Sequence, residues 1–240
     1  MTSTVDISEV EKFSRIADEW WDESGKFKPL HRFNPIRVSY IAEEISKAFT
    51  IDSKLKILDV GCGGGLISEP FAKMGASVSA IDASEKNISV AKIHAQQSGL
   101  TINYQSTSVE KMTEIDNYEK FDVVLALEVI EHVADVESFI KHCSKLVKPG
   151  GLLFIATINR TAKSLLFAKI GAEYVLRWLP AGTHDWKKFL KPSEINQYSD
   201  QLDLSLKELQ GFNYNLIFDE WKISDDLNVN YIAKFSKGNS

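Results

Sequence analysis

Long apolar runs are missing from this 240-residue chain, and so is the basic start followed by an apolar stretch that opens a secreted precursor. The first absence excludes a membrane-spanning helix. The second predicts a protein of the cytosol or of a cytosolic membrane face. Cysteine is scarce: Cys62 and Cys143 have no zinc-type spacing, so neither a disulfide framework nor a structural metal is expected, and the thiols should be reduced. Basic residues do not dominate either. With a formal net charge of -5 the chain offers no general means of neutralising a run of phosphates, which excludes nucleic acid as a generic partner. No internal repeat and no linker interrupts it. A hydrophobic content of 44% over this length fits one domain spanning residues 1–240, large enough to bury a full core.

What is present is first a strand that runs into an acid and a glycine cluster, Leu55-Lys-Ile-Leu-Asp-Val-Gly-Cys-Gly-Gly-Gly65. Gly61, Gly63, Gly64 and Gly65 clear the side chains that would keep a ligand from the backbone. The following Leu66 to Met74 reads as a helix whose free N–H groups face whatever sits over the turn. The dinucleotide fingerprint needs a third glycine three residues after the second, where this chain has Leu66. Asp59 would sit badly against a pyrophosphate but suits a ligand carrying a positive amine, such as S-adenosylmethionine. A second strand, Ala76 to Ile81, ends at Asp82, whose carboxylate can accept from both ribose hydroxyls. The bland alternative is a tight turn that holds no ligand.

Strands and helical segments alternate through the middle of the chain, which predicts an α/β, doubly wound, mostly parallel sheet of Rossmann-like type. The strand candidates are Leu55 to Asp59, Ser77 to Ile81, Ile102 to Gln105, Phe121 to Leu127 and Gly151 to Thr157. Glu85 to Gln97 and Asp135 to Leu146 carry a 3.6-residue apolar period, and Lys148-Pro-Gly-Gly151 supplies a stop and turn before the fifth strand. Beyond Lys191, Pro192 to Tyr198 reads as a helix and Asn228 to Phe235 as a last strand. Ligands of such a sheet sit beyond the carboxyl ends of its strands near the switch point, so the ends of the first, second and fourth strands are the places to search.

The fourth strand ends in Glu128-Val-Ile-Glu-His-Val133. Glu128, Glu131 and His132 stand at i, i+3 and i+4, so one turn of helix would put them on one side. Two carboxylates and an imidazole could bind magnesium or manganese. They could equally be a helix start with acids favoured by the dipole. Without a metal, His132 is the natural general base for a hydroxyl acceptor.

Leu58-Asp-Val-Gly-Cys-Gly-Gly-Gly65, the Glu-x-x-Glu-His run at 128–132 and Gly182-Thr-His-Asp-Trp186 together resemble the UbiG-type O-methyltransferases of ubiquinone biosynthesis. Phe13, Ala17, Trp20-Trp-Asp22, Gly25, Phe27-Lys-Pro-Leu-His31, Asn34-Pro35 and Arg37 match that family's opening pattern. The likeness extends from about residue 9 to the carboxyl-terminal strand; Trp186, where Tyr is commoner, is a mild departure. The resemblance implies a class I methyltransferase fold with an N-terminal helical lid over residues 1–50. It implies methyl transfer from S-adenosylmethionine to a ring hydroxyl of a polyprenylated catechol-type or demethylubiquinol intermediate, with other ubiquinone-biosynthesis proteins as partners. The implied cofactor residues are Arg37, on the methionine carboxylate, with Asp59, Gly61, Gly63, Asp82 and Leu127. Glu128, Glu131 and His132 would hold Mg2+, and His184 is a second candidate base. The rival readings are an NAD-dependent oxidoreductase, a methyltransferase of another pathway acting on O or C, and a non-catalytic member of a biosynthetic complex.

Two further segments admit two readings each. Val10, Phe13, Ile16, Ala17 and Trp20 recur at helical spacing and predict an amphipathic helix, while Gly25 to Pro35, which contains Pro29, His31 and Pro35, predicts a loop suited to a lid. Arg37 has a surface salt bridge to Glu43 or Glu44 as its plainer role. Residues 160–191 carry +5 against -10 for the remainder, with Lys163, Lys169 and Arg177 interleaved among apolar residues. Such a helical insertion suits an anionic membrane surface, or the roof of a substrate pocket.

Overall fold

The computed structural model describes residues 3–166, 185–215 and 218–239. The first half of the chain gives α1 (Ile7–Arg15), α2 (Lys28–Ser46), β1 (Lys56–Val60), α3 (Ser68–Lys73), β2 (Ser77–Asp82), α4 (Glu85–Gln97), β3 (Asn103–Ser106) and α5 (Val109–Glu114). The second gives β4 (Phe121–Leu127), α6 (Val136–Leu146), β5 (Val147–Ile158), the single turn α7 (Ala162–Ser164), α8 (Pro192–Ser199), β6 (Leu204–Asn215), β7 (Glu220–Ser224) and β8 (Asn230–Lys237). The described strands form one sheet in the order β3-β2-β1-β4-β5-β8-β6-β7. The first five are mutually parallel, and β8, β6 and β7 continue the sheet antiparallel. This is the expected doubly wound, mostly parallel arrangement, and β1 lies between β2 and β4 at the switch point.

Both faces of the sheet are covered, which is why its central strands read as continuous apolar runs. Ile57, Val123, Leu125 and Phe154 point to one side, against Phe33, Ile41 and Ile45 of α2 and Phe71 of α3. Leu58, Val124, Leu153 and Ile155 point to the other, against Phe139, Ile140, Cys143 and Leu146 of α6. Each buried Leu, Ile or Phe among them contributes roughly 1.5–3 kcal/mol of transfer free energy. Helix starts are capped by local side chains: Asp6, Ser84 and Asp135 each accept from a backbone N–H in the first turn of α1, α4 and α6.

The loop expected over Gly25 to Pro35 is a correction. Lys28–Ser46 is one helix, with Pro29 in its first turn and Pro35 inside it. Pro29 fits because first-turn N–H groups have no intrahelical acceptor in any case. Pro35 forfeits one helical hydrogen bond, and the buried face of Phe33, Val38, Ile41 and Ile45 offsets that loss. The Lys148-Pro-Gly-Gly151 turn is absorbed into β5 as an irregularity, where the pairing with β4 jumps between Phe121 and Val123. Cys62 and Cys143 are free and buried.

Candidate active site

Asp59, near the end of β1, is buried and accepts a 2.6 Å hydrogen bond from Ser68 Oγ. Burial raises its carboxyl to about 6, helped by the charge of Asp82 and opposed by Ser68 and Arg37. At Gly61 the chain turns with φ +70, and a side chain there would begin 2.5 Å from Val129 Cγ2. Its N–H and that of Cys62 donate to Ile81 O at 2.8 and 3.0 Å, tying the turn to the end of β2. Gly63, with φ +54, lies under the Trp20 indole so closely that a Cβ would overlap the ring. Only glycine meets both demands.

Asp82 organises this turn from the neighbouring strand. Its Oδ2 accepts from Gly63 N at 2.9 Å, and its Oδ1 accepts from Ser84 N at 2.8 Å and Asn87 Nδ2 at 3.2 Å. Burial raises its pKa, against the pull of those three donors. Asn87 Oδ1 in turn accepts from Trp20 Nε1 at 3.0 Å. Trp21 Nε1 donates to Gly64 O at 2.9 Å, and its ring stacks on His94 with centroids 3.4 Å apart. The N-terminal segment is thus fastened to the glycine turn through both tryptophans.

At the end of β4, just past buried Leu127, Glu128 adopts a left-handed backbone (φ +55) and a three-residue 3-10 turn, Ile130–His132, follows. The expected α-helical turn with three ligands on one side is therefore a correction. Glu128 Oε1 accepts from Arg37 Nη1 at 2.8 Å, Glu131 Oε2 accepts from Thr157 Oγ1 at 2.9 Å, and His132 Nδ1 lies 3.0 Å from Glu9 Oε2. Among the described residues no group of three or more His, Cys, Asp or Glu side chains gathers as a metal-ligand set. The left-handed residue before the short turn sends Glu128 toward α2, while Glu131 points to β5 and His132 to α1. Glu131 is 3% exposed; burial first, then the Glu128 charge, pushes its carboxyl up to about 7, and its Oε1 has no hydrogen-bond partner.

Arg37 is 2% exposed, and its ion pair is with Glu128 and with neither Glu43 nor Glu44. Its Nη2 donates to Asn34 Oδ1, and its Nε is buried without a partner. Burial lowers the guanidinium pKa, opposed by Glu128, Glu131 and Asp59.

One cavity of about 750 Å³, counting the space open at its mouth, lies at the carboxyl ends of β1 and β2. Gly61, Gly63, Asp82 and His132 line it, joined by Trp20 and Asn87; Arg37, Asp59, Leu127, Glu128 and Glu131 do not. From α1 and the residues before it, Thr4, Glu9, Val10 and Phe13 also border the cavity. His184, Lys169 and Arg177 lie outside the described residues. Of the flanking basic residues, Arg160 pairs with Glu194, Lys163 with Asp226, and Lys188 with Asp6 and Glu9.

A family described as a methyltransferase domain matches residues 58–155, from the glycine turn to β5. A ubiquinone biosynthesis O-methyltransferase of Pelagibacter ubique is 54% identical over 98% of this chain and 99% of its own length. The chain belongs to the family of ubiquinone biosynthesis O-methyltransferases. This O-methyltransferase is also 51% identical to the protein of that name from Parvibaculum lavamentivorans, over 96% of this chain and 93% of the relative. Among solved structures, a magnesium protoporphyrin IX methyltransferase from Synechocystis with bound SAH superposes with a TM-score of 0.70 at 19% identity, covering 97% of this chain and 100% of that one. The fold is that of the class I methyltransferases, Rossmann-like as expected. Sequence reasoning missed Asn87 and Ser84, although a Ser-x-x-Asn pair directly after Asp82 has the form of a helix cap that could have drawn attention. It also missed Glu9, which meets His132 across 123 positions and leaves no local signal.

Proposed function

We propose that this O-methyltransferase moves the methyl group of S-adenosylmethionine to a ring hydroxyl of a polyprenylated catechol-type or demethylubiquinol intermediate of ubiquinone biosynthesis, in the cavity that Gly61, Gly63, Asp82 and His132 share. The observation that carries this reading is that glycine turn, carboxylate and imidazole border one space. When bound, S-adenosylmethionine supplies an electrophilic methyl on a sulfonium centre. Gly61 and Gly63 offer backbone that a ligand can approach closely, and Asp82 accepts from the ribose. A phenol is a poor nucleophile near neutral pH because its pKa is about 10, so the protein must take its proton. His132 does so on Nε2, the ring nitrogen opposite the one at Glu9. The N-terminal helix and Trp20 keep water from the reacting atoms.

A second reading keeps magnesium on Glu128, Glu131 and His132, and the partnerless buried Glu131 Oε1 beside the Glu128 charge favours it. Such an ion would lower the hydroxyl pKa directly. As the side chains stand they do not form its cage; Glu128 would first have to leave Arg37. The two readings separate in one experiment with purified enzyme and a short-tailed catechol. With His132 as base, a chelator leaves the methylation rate unchanged. With magnesium in the site, turnover disappears with the chelator and returns with Mg2+. Failure to methylate a catechol under either condition overturns the proposed function.

The acceptor's polyprenyl tail places it in the bilayer, and the basic residues 160–191 suit peripheral attachment to an anionic, cytosolic membrane face. No described helix is long and apolar enough to cross a membrane.

A further inference from the structure

Glu9 stands in α1, far in sequence from the residues around the glycine turn and β4, yet it borders the same cavity as His132. Its Oε2 lies 3.0 Å from His132 Nδ1, and its Oε1 accepts from Lys188 Nζ at 3.1 Å. Lys12 Nζ is 3.6 Å from Oε2. The two segments are also joined through their backbones. Val5 forms an antiparallel bridge with Val133, next to the histidine, and Ala134 N donates to Thr4 O at 2.8 Å. Phe13, one turn along α1 from Glu9, meets the imidazole edge-on with centroids 5.0 Å apart.

A neutral imidazole has two tautomers, and the partner of one nitrogen decides which nitrogen keeps the lone pair. An ionised carboxylate can only accept, so at Nδ1 it selects the N–H there and leaves the basic lone pair on Nε2. Glu9 stands as such a carboxylate between two ammonium groups, with Lys188 Nζ 3.1 Å from Oε1 and Lys12 Nζ 3.6 Å from Oε2.

We propose that Glu9 is a positioning residue for methyl transfer, holding His132 as the Nδ1–H tautomer so that Nε2 accepts the proton of the acceptor hydroxyl. The inference rests on His132 being the base. In the proton-transfer step the acceptor O–H bond breaks and the proton goes to Nε2; the electron pair left on oxygen forms the bond to the methyl carbon as the S–CH3 bond breaks, and its pair leaves on sulfur as the neutral thioether of S-adenosylhomocysteine. The imidazolium so formed keeps its Nδ1–H on Glu9, whose negative charge lowers the cost of the new positive one. The N-terminal helix then roofs the cavity and also completes the base.

The test compares Glu9→Gln, Glu9→Ala, Glu9→Asp and His132→Ala with the parent, using a short-tailed catechol for turnover, calorimetry for S-adenosylhomocysteine, and nitrogen-15 NMR of the imidazoles. His132→Ala identifies its own resonances among the five histidines. Glu9→Gln and Glu9→Ala should lower kcat at least tenfold, toward the roughly 10⁴-fold loss seen when the carboxylate that orients a catalytic imidazole is neutralised. KM and cofactor affinity should stay within about twofold, and Glu9→Asp should recover part of the rate, since one orienting carboxylate replaces another. The parent's His132 should show a protonated Nδ1 and a bare Nε2, and Glu9→Ala a mixture. If Glu9→Gln and Glu9→Ala turn over like the parent while His132→Ala is inactive, the role of Glu9 is overturned and the base stands. If His132→Ala turns over normally, the base itself is wrong. A parent His132 protonated on Nε2 overturns the inference whatever the rates.

Discussion

Replacing Asp82 with Ala should weaken S-adenosylhomocysteine binding by an amount that the hydrogen bonds around this carboxylate allow to be worked out. An ionised carboxylate offers about four lone-pair sites. Three are committed inside the protein, to the N–H groups of Gly63 and Ser84 and to the Asn87 amide. Two of those fall on Oδ1 and one on Oδ2, so one site, on Oδ2, remains for a ribose hydroxyl. The two ribose bonds expected from the sequence therefore reduce to one unless the turn moves. One hydrogen bond to a charged group contributes ~1.5–3 kcal/mol, or about 10- to 150-fold in Kd. Asn87→Ala should cost less, because it releases the Trp20 indole but frees a second acceptor site on Oδ1. Isothermal calorimetry with S-adenosylhomocysteine reads both variants, and circular dichroism confirms that they are folded. A folded Asp82→Ala variant with the parent's affinity would refute the assignment. Equal losses for the two variants would show that the carboxylate acts through the tryptophan lid and makes no direct contact.

Gly63→Ala should bind cofactor at least tenfold more weakly and show altered tryptophan fluorescence, since the left-handed backbone costs ~1–2 kcal/mol for alanine and the methyl displaces Trp20. Asp59→Asn tests the buried carboxyl raised to about 6 by burial. Its folded pKa exceeds the unfolded one, so the fold loses stability as pH rises through roughly 4 to 6. Asn should therefore be the more stable at pH 8, on the order of 2–3 kcal/mol in urea melts, with the advantage gone near pH 4. Reversing Lys163, Lys169 and Arg177 to Glu should abolish sedimentation with anionic vesicles at low salt while sparing turnover of a short-tailed catechol, because each basic residue near such a surface contributes about 1 kcal/mol. A triple variant that sediments like the parent removes the membrane role of 160–191.

The elements that could be read from the sequence are those whose signals are local. β1, β4 and α6 announce themselves by apolar period and punctuation, and the offset from Gly61 to Asp82 reflects one strand-helix-strand unit. α2 was obscured because prolines mark a loop unless a buried face outweighs them, and that face became visible only when Phe33 and Ile41 met the sheet. β6 and β7 alternate weakly, being half-exposed along much of their length. Around Glu128 the residue types were legible but their directions were not. A helical backbone would put the three on one side, whereas the chain enters the turn left-handed, and each side chain finds a partner 26 to 123 positions away.

That left-handed residue also constrains how the protein can evolve. A non-glycine residue in this conformation gives up ~1–2 kcal/mol, so a drift from Glu128 to glycine would relax the backbone. The same step would strand the Arg37 guanidinium, which is buried against Glu128, and breaking a buried pair typically costs ~3–5 kcal/mol. The second penalty exceeds the first, so no single substitution that removes the carboxylate is a gain. Positions 37 and 128 can change only together, and descendants of this sequence should keep or lose them as a pair.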